Sequence, residues 1–178
     1  MPSRPAEIIV RCEDLQQRVF IYRCLVEKGF PGRTIQVRQN PAGDAKRFVL
    51  DQYPIQVKAL RRAPHICKAL VSMLDADDHT VDERKREHDK ALEKSGEAQR
   101  TDTEKIAILV PRRNIETWIH HLLGKTVNEN DTYPRFRGEE RKCAPAAVEF
   151  ARRCPHDMRE ADLPSLRAGC TELRRIVV

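Results

Sequence analysis

Two segments of the chain, ICKALVSMLD (66–75) and KIAILVP (105–111), are apolar almost from end to end. A strand of that composition is buried on both faces, which is the situation of a strand in a parallel sheet covered by helices. Each of the two is followed by a segment of helical character, so crossover helices must lie against the sheet.

The remaining elements fit the same plan. AEIIVRC (6–12) reads as a short strand, and residues 14–28 follow as an amphipathic helix in which Leu15, Val19, Tyr22 and Val26 form an apolar stripe widened by Phe20 and Leu25. Gly29 stops that helix, and Pro31-Gly32 make a turn into a second strand, TIQVRQ (34–39). Residues 44–63 read as helical with a kink or interruption at Pro54, because the residue before a proline is pushed out of the helical region. Thr80 and Glu83 form a capping box that opens a helix over 80–95, closed by Gly96. Asn114 caps NIETWIHHLLG, residues 125–140 are polar and irregular, and two further helices are expected over 144–153 and 164–175. The order is βαβαβαβα plus a helical tail. We therefore expect an α/β fold, a sheet of about four mainly parallel strands flanked by helices (1–124), with a helical C-terminal appendage over 125–178.

Composition narrows the classes. Lys and Arg exceed Asp and Glu by 33 to 27, a net charge of +6, which weakly favours a polyanionic partner such as nucleic acid. The six cysteines include no CxxC pair, which argues against a zinc ribbon or finger, and we expect reduced thiols in a soluble, cytoplasmic protein. There is no apolar run of membrane-spanning length, no GxSxG, no P-loop and no GxGxxG.

In an open parallel sheet, functional groups gather beyond the carboxyl ends of the strands. The first strand ends in Glu13-Asp14, the third in Asp75-Ala76-Asp77-Asp78, and the fourth in Arg112-Arg113-Asn114 with Glu116 just inside the next helix. If the extended backbone continues past the third strand, Asp75 and Asp77 share a face with Cα atoms about 6.5–7 Å apart. Two carboxylates so placed suit one hard cation such as Mg²⁺, which would also relieve their mutual repulsion. The alternative is helix capping at Asp77 or Asp78 and a plain strand end at Asp75. Glu13 is either a partner carboxylate across the crevice or a residue favoured by the helix N-terminus, and Glu116 divides in the same way between metal ligand and dipole partner. Arg112, Arg113 and Asn114 form a candidate phosphate-binding wall, with His79 beside it. Trp118 reads as core at its helical spacing, and the adjacent His120 and His121 cannot face one site together.

This combination resembles the Toprim fold, whose members carry a lone Glu after the first strand and a DxD pair after the third. Glu13 in IIVRCED and Asp75/Asp77 in MLDAD match that pattern, over roughly residues 6–122. Where many Toprim proteins have Gly after the Glu, this chain has Asp14. The stretch PRRNIETWIHHLLG is similar to a segment of small RloB-type Toprim-like proteins associated with anti-phage defence and often paired with an ATPase.

The resemblance implies a Toprim-like sheet and Mg²⁺ or Mn²⁺ held by Glu13, Asp75 and Asp77, with Asp78 and Glu116 as further candidate ligands. It also implies phosphodiester chemistry in which Glu13 acts as acid or base. The chain has neither the tyrosine-bearing domain of a topoisomerase nor the zinc-binding parts of a primase. The expectation is thus a metal-dependent nuclease acting on DNA or RNA, with nucleic acid held by Arg112, Arg113, Asn114 and His79, and an ATPase as a partner protein. The competing readings are a catalytically inactive nucleic-acid- or partner-binding module of the same fold, and a nucleotide phosphatase.

Overall fold

The computed structural model describes residues 7–177; the first residue of the expected strand 6–12 and the two chain ends lie outside it. Four strands, β1 (Ile8–Cys12), β2 (Ile35–Gln39), β3 (Ala69–Met73) and β4 (Ile106–Leu109), form one all-parallel sheet in the order β2-β1-β3-β4. Six α-helices flank it: α1 (Leu15–Glu27), α2 (Ala45–Arg62), α3 (Val81–Lys94), α4 (Ile115–Leu122), α5 (Ala144–Arg153) and α6 (Pro164–Leu173). This is a Rossmann-like α/β layering. No helix among the described residues is long and apolar enough to cross a membrane.

Both predicted apolar strands, β3 and β4, are buried along their whole length. Alternate side chains enter two cores. Ile8, Val10, Val71, Met73 and Leu109 pack with α1, α4, α5 and α6, whereas Leu70, Ile106 and Ile108 pack with Tyr53, Val57 and Leu92 of α2 and α3. Phe150, Leu166 and Leu173 of the C-terminal helices share the first core with Phe20 and Trp118, so α5 and α6 complete one face of the sheet.

Three local expectations change. Helix α2 runs unbroken through Pro54. Proline removes one N–H, but Val49, Tyr53, Val57 and Leu60 hold the flanking turns against the sheet. The buried face of α1 is rotated from the apolar stripe: Gln16, Gln17, Phe20, Ile21, Cys24 and Leu25 are inside, while Leu15 and Tyr22 are 42% and 40% exposed. Two glutamines win the inward face because both find hydrogen-bond partners there. Finally, the expectation of reduced thiols fails for one pair. Cys154 at the end of α5 and Cys170 in α6 form a disulfide with Cα atoms 5.4 Å apart, while Cys12, Cys24, Cys67 and Cys143 are free and buried.

Polar ties fix the outer elements. Glu172 of α6 accepts from Arg100 at 2.6 and 2.8 Å, from Lys85 at 2.9 Å and from the Ile108 amide at 3.0 Å. Arg100 also donates to the Ile106 carbonyl at 2.8 Å. His88 is fully buried, its Nε2 2.9 Å from the Ser72 hydroxyl and its Nδ1 2.8 Å from the Arg84 carbonyl.

Candidate functional site

The carboxyl ends of β1, β3 and β4 lie side by side, since β1 pairs with β3 and β3 with β4. Asp14 caps α1, its Oδ1 accepting from the Gln17 amide at 2.9 Å. Gln17 is completely buried one turn further on. Its Oε1 accepts from the Glu13 amide and its Nε2 donates to Asp75 Oδ1, both at 2.9 Å. One side chain thus connects the exits of β1 and β3.

Glu13 and Asp75 stand at neighbouring strand exits, close enough for Glu13 to raise the Asp75 carboxyl. Burial pushes the Glu13 carboxyl up to about 7; Lys46 pulls it down, while Asp77 and Asp14 push it further up. Burial holds Asp75 well above the usual carboxylate range, with Glu13, Asp14 and Glu116 adding repulsion and Gln17 opposing it. Glu13 Oε1 is buried and has no hydrogen-bond partner.

Asp77 is placed differently from the extended-backbone expectation. The strand ends at Met73, and Asp77 has φ 51°, in the left-handed region. Its amide donates to the carbonyl of Arg113, which is also left-handed at φ 64°, at 2.9 Å. The two form an isolated antiparallel bridge that pinches the β3 and β4 exits together. The reversal turns the Asp77 carboxylate toward Lys46 in the first turn of α2, where the two form an ion pair. Lys46 Nζ also lies 3.9 Å from Glu13 Oε1, and Arg84 Nη2 lies 4.0 Å from Asp77 Oδ2.

The expected phosphate-binding wall is engaged internally. Arg112 donates to the Asp77 carbonyl at 2.8 Å and to the His79 carbonyl, and Arg113 pairs with Asp78. Ser165 Oγ accepts from the Arg112 amide at 3.1 Å and from Trp118 Nε1 at 2.8 Å, so α6 fixes this loop from behind. Asn114 precedes α4 without a side-chain cap bond; its Oδ1 accepts from Thr117. His79 is exposed at the start of the α3 turn. Glu116 is buried on the Asp14 side, its carboxyl raised by burial and by Asp14 while Arg135 opposes. Trp118 is fully buried. His120 is buried against Phe136, and His121 pairs with Asp162.

The chemistry of Glu13 and Asp75 fits a hard cation: a half-buried and a buried carboxyl, both with raised pKa, and one oxygen without a hydrogen bond. Their geometry goes only part of the way. Among the described residues no three or more His, Cys, Asp or Glu side chains converge as a metal-holding set, and Asp77 is taken by Lys46.

Two residues escape the sequence reading, Gln17 and Lys46. Lys46 lies just past the carboxyl end of β2, two positions after the Asp44 cap of α2. Extending the strand-end rule to the second strand finds it. Gln17 carries no such signal, because glutamine on an amphipathic helix ordinarily faces water.

Fold and site together define an α/β protein with an acidic crevice at the carboxyl edge of a parallel sheet. Comparison with protein-family models, curated proteins and solved structures finds no match.

Proposed function

We propose that this crevice is a metal-dependent phosphodiester-cleaving site and the protein a Toprim-like nuclease acting on DNA or RNA. The observation that carries the reading is the Glu13–Asp75 pair: a half-buried and a buried carboxyl, both protonation-prone, with one Glu13 oxygen that lacks a hydrogen bond and has only Lys46 at 3.9 Å as a counter-charge. Glu13, Asp75 and Asp77 would hold Mg²⁺ or Mn²⁺, which when bound polarises the phosphodiester and lowers the pKa of attacking water. Glu13, with its pKa near neutrality, is the side chain suited to hold or release a proton there. Gln17 keeps Asp75 oriented, and Lys46 supplies a positive charge beside Glu13 and Asp77 that can pair with carboxylate or with phosphate. A role in anti-phage defence beside an ATPase partner follows from the family resemblance alone.

A second reading is favoured by Lys46 itself. Its ion pair neutralises Asp77 without any added cation, as a non-catalytic nucleic-acid- or partner-binding module would need. One experiment separates the two. Cleavage of plasmid and single-stranded substrates is measured with Mg²⁺ or Mn²⁺ for the wild type, Asp75→Ala and Asp75→Asn. The nuclease reading expects cleavage by the wild type alone. Equal cleavage by all three, or none by any, removes it; metal-independent binding that survives Asp75→Ala supports the module.

A further inference from the structure

The exposed side of α1 carries a feature that the carboxylate crevice does not use. A groove of about 570 Å³ opens between α1, the edge strand β2 and the start of α5. Its floor includes Ile35 and Val37, and its rim carries Arg18, Arg23 and Arg141 with no carboxylate in the lining. Arg18 and Arg141 form no ion pair among the described residues, and Arg23 has only Glu27 of its own helix, at 3.7 Å. Tyr22 forms the wall and is 40% exposed although its spacing predicts a buried position. A Cβ at Gly32 would run into the Tyr22 hydroxyl, so the ring is seated against bare backbone.

We propose that this groove binds single-stranded nucleic acid, with bases against Tyr22 and the aliphatic floor and phosphates at the three arginines. Each component has its own reason. Three guanidiniums around an apolar floor, only Arg23 of them ion-paired among the described residues, select a ligand that is polyanionic and yet has exposed flat apolar faces, and an unpaired strand is both. A duplex keeps its bases inside and leaves Tyr22 and the floor unused. An acidic peptide uses the arginines but not the ring. A smaller depression of about 150 Å³ beside Asp14 and Glu116 is lined by Arg135 and Arg137, and in its wall the Gln16 side chain donates to the Glu140 carbonyl at 3.1 Å. Both follow α1, the groove beside residues 18–23 and the depression beside residues 14–16. The inference rests on the proposed function only in naming the strand that the crevice would receive.

The test is fluorescence anisotropy with 5′-labelled mixed-sequence single strands of DNA and RNA, in EDTA, against duplex DNA and polyglutamate. Tyr22→Ala is expected to weaken single-strand binding about tenfold, the loss of one stacked base, and Tyr22→Phe to leave it intact. The Arg18→Gln/Arg141→Gln variant is expected to weaken binding and to lower the dependence of log K on log salt by about 1.4. Wild-type binding by correctly folded Tyr22→Ala and Arg18→Gln/Arg141→Gln, or equal binding of duplex or polyglutamate, overturns the proposal. Groove binding in EDTA by a wild type that fails to cleave once Mg²⁺ or Mn²⁺ is supplied would leave this inference standing and remove the nuclease reading. Cleavage of single strands at an unchanged KM by the groove variants would do the reverse.

Discussion

Gln17 Nε2 donates to Asp75 Oδ1 at 2.9 Å across 58 residues of sequence, and both side chains are buried. It is the only side-chain hydrogen bond that Asp75 makes among the described residues. Removing it strands a buried carboxyl and frees the Glu13 amide, so Gln17→Ala should cost about 1–3 kcal/mol in urea denaturation at pH 7. A loss under about 0.5 kcal/mol would show that water replaces Gln17 and that the crevice is wetter than its burial indicates.

Lys46 and a divalent cation would compete for the same carboxylates. Mn²⁺ should therefore raise the Tm of the wild type, raise it more in Lys46→Met, and leave Asp75→Ala unmoved. Thermal melts at several Mn²⁺ concentrations read this directly. Equal shifts in all three proteins would place the ion elsewhere.

Two groups should make stability fall with acid in successive windows. Burial holds the His88 imidazole at about 4, below its ordinary 6.5, with the Arg84 carbonyl opposing. The neutral ring is the native form, so its contribution is complete above pH 6.5 and lost as pH falls toward 4. Burial pushes the Glu172 carboxyl up, but Arg100, the Ile108 amide and Lys85 outweigh it and hold the group at about 2 against an ordinary 4.5. Its contribution is complete above pH 4.5 and lost between there and 2, on the order of 3 kcal/mol. Urea melts across pH 7 to 3 should show the upper slope flatten in His88→Gln and the lower one in Glu172→Gln. Unchanged slopes in either variant would remove that assignment.

Gly169 of α6 sits against the Trp118 ring, which a Cβ there would strike. Alanine is the better helix former by about 1 kcal/mol. Trp118 cannot give way easily, because Phe20 and Phe150 pack on it and Ser165 holds its Nε1. Overpacking of about 1–3 kcal/mol should therefore outweigh propensity, and Gly169→Ala should melt below the wild type. A Tm at or above the wild-type value would mean that the helix shifts instead.

The sheet is legible in the sequence because β3 and β4 are covered on both faces, and continuous burial writes itself as continuous apolar residues. Helix termini are legible where a cap chemistry is local, as at Thr80 and Glu83, whose reciprocal bonds form as the spacing predicts. What fails is whatever depends on a distant partner. The inward face of α1 is decided by Gln17 finding Asp75, which no helical periodicity can announce. Asp75 and Asp77 do not share a face because the Arg113 carbonyl captures the Asp77 amide and turns the chain. Glu13 and Asp75 follow the exits of two paired strands and are tied through Gln17, whereas Asp77 is placed by the loop.

The Arg100–Glu172 pair has a consequence for how this sheet can be extended. On the outer flank of β4 it donates to the Ile106 carbonyl and accepts from the Ile108 amide, two groups that a neighbouring strand would otherwise engage. An ion pair thus impersonates one residue of a fifth strand. It closes one border of the sheet with side chains alone, and an incoming strand finds its unblocked ladder only along β2.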